Sequence, residues 1–285
     1  MKRVKIPHRH KALFLGLGAV GLVLVGVSVG FIVLLSGGYT TAATKQHFAL
    51  TYKVLDMGLI YSVRAAAADI DVPDLQRPEM IHQGLACYRE YCVQCHGAPG
   101  MPRDALGKSM LPSPSDLSQS AREWPAAHLY YVTKKGVRMT GMPAWEFRIS
   151  DAGLWSTVAF LKRMPLLTHT QYQELGATAA SESCPRNIDA AAEYSHERAT
   201  TVLRQYACDN CHRIDGMVGP DAHVGPPLTQ WSRRKYIAGV LPNTNENLVS
   251  WIVRPQAISP DSLMPDLGVP EAHAREMARY LMEAK

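Results

Sequence analysis

The N-terminal part of the chain, residues 1–35, contains no acidic residue and includes a long run without any charged residue. Between Ala12 and Leu35 there is no charged residue, and the basic tip before this run, residues 1–11, holds no Asp or Glu. An uncharged run of this length can cross a hydrocarbon layer as one helix, whereas the apolar core of a secretory signal is only about 7 to 15 residues long. We therefore predict a transmembrane anchor within residues 1–38. The alternative is a removed leader cleaved at Thr41-Ala42-Ala43.

The basic residues of the tip predict the orientation of this anchor. They are Lys2, Arg3, Lys5, Arg9 and Lys11. Under the positive-inside rule they keep the N-terminus in the cytoplasm and place residues 40–285 on the far side of the membrane, which in a bacterium is the periplasm. No later segment is apolar enough to cross again. We expect a single-pass protein of the inner membrane, with the lipid bilayer as one partner.

The rest of the chain lacks excess charge. The formal net charge of all 285 residues is +5, so the part beyond the tip sums to about zero. The short run Arg233-Arg234-Lys235 is interpreted as a solvated helix face rather than a polybasic patch. We therefore expect no nucleic-acid partner.

Strand patterns are also sparse, and the chain contains an internal repeat. Two segments of roughly 90 residues, 79–165 and 194–285, each place a Cys-x-x-Cys-His motif near the start, a loop rich in Gly and Pro after it, and a helix at the end. A segment rich in Ala, Ser and Thr, 166–193, has the composition of a linker between them. We predict an all-α fold with two small tandem domains, called here the first and second units.

The boundaries of the units follow from helix signals. Residues 39–78 are predicted to form a helical stalk and linker that ends among Pro73 and Pro78. Pro78 is also placed to begin the first helix of the first unit, and Ser150 to cap its closing helix. The residues predicted to face the core from the two closing helices are Leu154, Val158 and Leu161 in the first unit and Met277, Tyr280 and Leu281 in the second.

The repeated motif is the pattern of covalent haem attachment. Two thiols bond the two vinyl groups of one porphyrin, and the adjacent histidine reaches the iron. Two copies on the exported side of a membrane predict two covalently bound haem c groups. The residues are Cys92, Cys95 and His96 in the first unit and Cys208, Cys211 and His212 in the second.

Two other interpretations of the cysteines are less well supported. Paired Cys-x-x-Cys motifs also bind zinc, but the two pairs lie far apart in the chain and each ends in His. A thioredoxin-like redox pair needs a βαβ context, which the helical flanks do not provide.

A methionine in each unit is placed to be the sixth ligand of the iron. Met142 in "TGMPAW" and Met264 in "SLMPDL" each lie on the loop before the closing helix, and each is followed by Pro. Methionine in a helical protein more often fills the core than binds a metal, so other methionines compete with this interpretation. The competitors are Met101, Met110 and Met139 in the first unit and Met217 in the second.

Both units resemble class I c-type cytochromes. In the first unit, Gly84 and Tyr88 precede Cys92 by eight and four residues and match the family's glycine and aromatic where the first and closing helices cross. The second unit departs from this pattern, with Thr200 and Arg204 at those offsets. The resemblance implies that its helix crossing uses Ala199 and Leu203 instead.

The resemblance also implies a proline carbonyl that accepts a hydrogen bond from the haem histidine and fixes its ring. In the second unit, "VGPPL" supplies Pro226 and Pro227 as the equivalent of this proline. In the first, "LPSPSDL" offers Pro112 or Pro114, and the sequence does not choose between them.

Two cysteines remain outside the haem motifs, Cys87 and Cys184. In an oxidising compartment such a pair is interpreted as a disulfide, which here ties the linker to the first helix of the first unit. The alternative is two buried thiols that behave as small apolar side chains.

These features predict an electron-transfer protein and not an enzyme. An iron held by protein on both faces has no open position for a substrate, and His/Met ligation raises its reduction potential. The resemblance implies a membrane redox complex as partner: a haem-copper terminal oxidase, a quinol-oxidising complex or a periplasmic dehydrogenase. The second unit's "NENLVSWIVRPQAISPDSLMPDLGV" resembles cytochrome domains of oxidase subunits, which favours a respiratory chain ending in an oxidase. The competing class is a diheme peroxidase, and a haem-based sensor lacks an output domain.

Overall fold

A computed structural model of the chain describes residues 8–187, 194–219 and 224–284, with side chains from residue 16 onward. The described part is mostly helical, as predicted. Its α-helices are α1 (His8–Leu35), α2 (Ala49–Ala66), α3 (Pro78–Tyr91), α4 (Val93–His96), α5 (Ala105–Ser109), α6 (Leu117–Glu123), α7 (Ala126–Lys135), α8 (Asp151–Arg163), α9 (His169–Thr178), α10 (His196–Gln205), α11 (Asn245–Val253), α12 (Pro255–Ile258) and α13 (Glu271–Glu283).

One short hairpin departs from the all-α prediction. Strands β1 (Tyr236–Ile237) and β2 (Leu241–Pro242) pair antiparallel, with Ile237 opposite Leu241. Ala238 and Gly239 in the turn have φ values of 48° and 76°, in the left-handed region. Two residues per strand are too few for the alternating pattern that marks a strand in a sequence.

Helix α1 contains the predicted anchor. Gly16–Leu35 is a stretch of 20 residues that is long and apolar enough to cross a membrane, by length and composition, and none of it is buried against the rest of the chain. Its side chains face outward on every side, as expected of a helix surrounded by lipid. The chain therefore has one candidate N-terminal membrane helix among its described residues.

Helix α2 lies within the predicted stalk, but its end is part of the first unit. It packs against α7 near its C-terminal end, where Val63 and Ala67 are buried. Most of its other apolar side chains, such as Leu50 and Tyr61, are exposed.

The first unit is built around the crossing of α3 and α8. Gly84 meets α8 so closely that a Cβ atom there would lie 1.8 Å from the carbonyl oxygen of Ser156. Tyr88, one turn further, packs its ring 5.1 Å from that of Phe160. The glycine is required because only hydrogen fits between the two backbones. This close approach confirms the predicted crossing at Gly84 and Tyr88.

The ends of these two helices follow the predicted signals. Pro78 is the first residue of α3, where its missing N–H costs no hydrogen bond. The hydroxyl of Ser150 accepts a hydrogen bond from the backbone N–H of Gly153 and caps α8. The predicted core residues Leu154, Val158 and Leu161 are all buried.

A second cluster of buried side chains lies in residues 194–284. Helices α10 and α11 pack against α13, and Met277, Tyr280 and Leu281 are buried as predicted. Ala199 and Leu203 lie in the same cluster, on α10. The two residues that the resemblance implies for the crossing are thus buried on the helix that packs against α13.

The segment 166–193 is more than a linker. Thr168 and Gln171 form a reciprocal cap at the start of α9, and Tyr172 in this helix is only 2% exposed. Gly176 brings α9 against α3, where its carbonyl accepts a hydrogen bond from Arg89 at 3.2 Å. The composition of this segment, rich in Ala, Ser and Thr with little apolar periodicity, predicts only a linker between the units and does not reveal this packing. Residues 188–193 lie outside the described part of the chain.

Candidate functional site

Both Cys-x-x-Cys-His segments form the same backbone turn. In the first, the carbonyl of Cys92 accepts from the N–H groups of Cys95 and His96, at 3.1 and 3.0 Å. In the second, the carbonyl of Cys208 accepts from Cys211 and His212, at 3.3 and 3.0 Å. Each turn directly follows the first helix of its unit, α3 or α10. The shared turn gives the two cysteines and the histidine of each unit a similar relative placement.

In each turn, burial favours the uncharged thiol of the first cysteine. Burial raises the pKa of the Cys92 thiol to about 12 and that of the Cys208 thiol to about 11. Zinc is bound by the thiolate form, which this burial disfavours. Among residues 8–187, 194–219 and 224–284, no group of three or more His, Cys, Asp or Glu side chains is placed to hold a metal ion. Within these residues, the two Cys-x-x-Cys pairs are therefore not brought together as one four-cysteine group.

Each motif histidine is oriented by a backbone carbonyl. The Nδ1 atom of His96 lies 2.9 Å from the carbonyl oxygen of Ser115, and that of His212 lies 2.7 Å from the carbonyl oxygen of Pro226. A carbonyl oxygen only accepts hydrogen bonds, so Nδ1 carries the proton in both rings and Nε2 keeps its lone pair. A histidine in this state is ready to bind a metal through Nε2.

In the first unit, the residue whose carbonyl accepts the hydrogen bond from His96 differs from those expected from the sequence. Neither Pro112 nor Pro114 supplies the carbonyl, because the chain turns so that the next residue, Ser115, meets the ring. Ser115 stands directly before Asp116, which caps α6 through the backbone N–H of Ser118. In the second unit the first proline of the pair, Pro226, supplies the carbonyl as the resemblance implied.

Gly225 holds the ring of His212 from one side. A Cβ atom at this position would lie 2.4 Å from Cε1 and 2.6 Å from Nδ1 of the ring. The backbone of residues 225 and 226 therefore packs directly on the imidazole, which leaves little freedom for the ring to rotate. The N–H of Gly225 donates to the carbonyl of Cys211 at 2.8 Å, which joins this segment to the Cys-x-x-Cys-His turn.

The two candidate methionines lie in matching turns. The N–H of Met142 donates to the hydroxyl of Thr140 at 3.1 Å, and the N–H of Met264 donates to the hydroxyl of Ser262 at 3.2 Å. Both methionines are half-buried. Sequence reasoning missed the two hydroxyl residues, although a shared pattern, Thr/Ser-x-Met-Pro, was there to find them.

The competing methionines differ in their surroundings. Met139 is 86% exposed, whereas Met217 packs against the second core cluster, as Met264 itself does. Met101 lines a cavity beside His96, and its sulfur lies 3.8 Å from the side-chain amide of Gln173. Met110 is different, because its sulfur would lie 2.9 Å from a Cβ atom at Gly141, next to Met142. Two thioethers, those of Met110 and Met142, therefore belong to neighbouring segments.

A cavity of about 410 Å³ adjoins His96 but is not the space between the two predicted ligands. It is lined by Tyr88, His96, Met101, Arg103 and Met164 among others, and by none of Cys92, Cys95 or Met142. Burial lowers the pKa of His96, which keeps the ring neutral beside this cavity.

A disulfide joins the remaining two cysteines. Cys87 on α3 and Cys184 after α9 are bonded, with their Cα atoms 4.5 Å apart. The bond closes the region of α9 onto α3, next to the first Cys-x-x-Cys-His turn. It lies entirely within the first unit and the segment that follows it.

The comparisons with known proteins cover part of the chain. Residues 79–161 match the family model described as cytochrome c oxidase, cbb3-type, subunit III. Over 84 residues the chain is 32% identical to cytochrome c oxidase subunit 2 of Alkalihalophilus pseudofirmus, a stretch that is 30% of this chain and 24% of that protein. The matched stretch thus spans about a quarter of the length of this relative. No solved structure matches the chain.

Geometry and comparison agree on the first unit. The chain carries a c-type cytochrome domain at residues 79–161, and such a domain transfers electrons through covalently bound haem c. The residues present fit this group, since the motif thiols are free of other bonds and the histidine presents Nε2.

Proposed function

We propose that the chain is a membrane-anchored cytochrome with two haem c groups that relays single electrons. Cys92, Cys95 and His96 would hold one haem, and Cys208, Cys211 and His212 the other. The observation that carries this proposal is the repeated orientation of His96 and His212, each with Nδ1 against a backbone carbonyl. An uninvolved histidine has no reason to repeat this bond directly after a Cys-x-x-Cys turn.

The second axial ligand in each unit is proposed to be Met142 or Met264. Their matching turns, each with a hydroxyl that accepts the methionine N–H, support equivalent roles. A haem iron with histidine on one face and methionine on the other supplies one-electron chemistry at a raised potential. The protein's part is to hold both ligands in place and to leave no coordination position open, so that neither oxygen nor peroxide reacts.

The partner is proposed to be a membrane redox complex, with a haem-copper terminal oxidase as the first candidate. Two observations support this: the match of residues 79–161 to a model described by an oxidase subunit, and the apolar helix α1. The basic tip favours haem units on the periplasmic side. Co-purification from detergent-solubilised membranes identifies the partner, and a dehydrogenase among the bound subunits would replace the oxidase assignment.

Carbon monoxide and peroxide test the relay function. The reduced protein is expected to show no carbon monoxide difference spectrum at neutral pH, and the oxidised protein no change with hydrogen peroxide, because both irons have two protein ligands. A ready response from one of two haems would contradict the relay and indicate a diheme peroxidase.

A further inference from the structure

One segment of the first unit is packed into the second. The segment Ala144–Arg148, called here the bridging segment, begins two residues after Met142 and precedes α8. Its residue Phe147 is 4% exposed and belongs to the buried cluster formed by α10, α11 and α13. An aromatic side chain that fills the core of another unit holds the two units together.

In the second unit, the Phe147 ring lies beside the side chains of Arg198 and His273. The guanidinium carbon of Arg198 lies 5.0 Å from the centre of the Phe147 ring. Arg198 in turn forms a 2.8 Å ion pair with Glu276, and both side chains are largely buried. The ring of His273 stands edge-on to Phe147 at 6.4 Å. These contacts join α10, α13 and the bridging segment at one place.

Arg148 continues the contact in the direction of the second Cys-x-x-Cys-His turn. Its guanidinium stacks on the ring of Tyr206 at 4.5 Å and donates a 2.8 Å hydrogen bond to the Tyr206 hydroxyl. That hydroxyl lies 3.0 Å from Nδ1 of His273. The hydroxyl thus accepts from arginine and also pairs with the ring nitrogen of the histidine. The tyrosine is thereby fixed from both sides.

One further hydrogen bond connects the segment after Met142 with the segment before Cys208. The side-chain amide of Gln205 donates to the carbonyl of Ala144 at 3.1 Å. Ala144 is two residues from Met142, and Gln205 is three residues from Cys208. The polypeptide path from the methionine loop of one unit to the first haem cysteine of the other is therefore only a few residues long.

We propose that the bridging segment locks the two units into one rigid body and sets the position of the second haem relative to the first. Phe147, Arg148 and Gln205 are positioning residues, and electrons pass between the units inside one fixed structure rather than by encounters of two tethered domains. The proposal rests on the proposed function of the second unit as a haem carrier.

Cleavage of the chain between the units tests the lock in the full-length protein. A protease site is placed between residues 188 and 193, and the cut protein is analysed by gel filtration in detergent. The disulfide of Cys87 and Cys184 lies wholly on the N-terminal side, so no covalent bond joins the two fragments after the cut. The fragments are expected to elute together. If the two fragments of the cut protein without further substitutions elute separately, the proposal is overturned.

A double variant shows whether the bridging segment causes the association. With Phe147→Ala and Arg148→Ala, at least half of the C-terminal fragment is expected to elute separately. The control is Arg275→Ala, which removes an exposed pair with Glu271 on α13 and is expected to leave the fragments together. Co-elution that survives the double variant would overturn the assignment to this segment.

The rate of electron transfer between the two haems in the uncut chain tests the positioning role directly. A loss of packing that leaves the relative position of the units unchanged would not alter this rate. After photoreduction of one haem, equilibration with the other is expected to be at least tenfold slower in the double variant, at unchanged haem content and with each unit's own potential retained. An unchanged rate would overturn the positioning role. If the C-terminal unit carries no haem, the proposed function fails. The gel-filtration result for the cut protein then still shows whether the bridging segment holds the two units together.

Discussion

The candidate haem ligands are oriented by backbone groups and short hydroxyl side chains. Ser115 and Pro226 hold the histidines through their carbonyls, and Thr140 and Ser262 hold the methionine N–H groups. Such contacts fix ligand orientation without placing another charge beside the iron. In the proposed haem sites, the reduction potential is then expected to depend mainly on the two axial ligands and on burial.

Replacing either methionine tests the sixth ligand. Met142→Leu keeps the side chain's volume and removes its sulfur, so the midpoint potential of one haem is expected to fall and that haem is expected to bind carbon monoxide. Met264→Leu is expected to do the same to the other haem only. Redox titration and carbon monoxide difference spectra measure both effects.

The control for these variants is Met139→Leu. The Met139 side chain is 86% exposed, so this substitution is expected to leave both midpoint potentials and the carbon monoxide spectrum unchanged. If Met142→Leu leaves the spectrum unchanged, Met142 is not the ligand. The neighbouring sulfur of Met110, beside Gly141, is then the next to replace.

His273 makes stability depend on pH. Burial, together with nearby Arg198 and Arg148, lowers its pKa from 6.5 to about 4. Between these values the unfolded chain binds more protons than the folded one, so the free energy of unfolding falls as pH falls from 6.5 towards 4. One such group contributes a slope of at most about 1.4 kcal/mol per pH unit.

Denaturant unfolding of the wild type and of His273→Gln measures this slope. The difference in unfolding free energy between pH 8 and pH 5 is expected to be smaller in the variant by about 1–2 kcal/mol. An equal pH dependence in both proteins would show that His273 does not titrate in this way.

The sequence predicts the candidate haem-binding residues better than the residues that orient them. Cys92, Cys95 and His96 form a local pattern with known chemistry. Ser115 acts through its carbonyl, which every residue has, so only the path of the chain selects it. Phe147 and Arg148 belong to the first unit by sequence, and nothing local indicates that they contact Tyr206 and Arg198.

At the scale of helices, the crossing of α3 and α8 determines whether the first unit folds. Gly84→Ala places a methyl group 1.8 Å from the Ser156 carbonyl oxygen, so the helices must separate. The free energy of unfolding is expected to fall by at least about 2–3 kcal/mol. Thermal or denaturant unfolding measures the loss.

Gly58→Ala in α2 is the matched control, because no atom lies within 4 Å of the added methyl group. It is expected to leave stability unchanged or to raise it by up to about 1 kcal/mol, since alanine favours the helix. Equal effects of the two substitutions would contradict the described crossing.

Helices with a strong start signal or apolar periodicity were predicted, and those held by a few contacts were not. Pro78 and Ser150 mark α3 and α8 in the sequence itself. Helix α9 has a capping pair at Thr168 and Gln171, but it packs on the first unit through a few residues, chiefly Tyr172, Leu175 and Gly176. Packing against a distant helix is a tertiary effect that local composition does not show.

The described helices and contacts predict a chain in which the two units move together. The end of α2 packs on α7, a disulfide ties Cys184 to α3, and the bridging segment enters the second core. Such a molecule suits a fixed relay beside a membrane complex better than a shuttle. The segment between α1 and α2 then connects the candidate membrane helix to the two units.

The intact mass of the purified protein, with its haem content from the alkaline pyridine spectrum, tests the central claim most directly. The account predicts a chain heavier than its sequence by two haem groups. Cys208→Ser with Cys211→Ser is expected to remove one haem, and Cys92→Ser with Cys95→Ser the other. A mass that corresponds to one haem or to none would contradict the account.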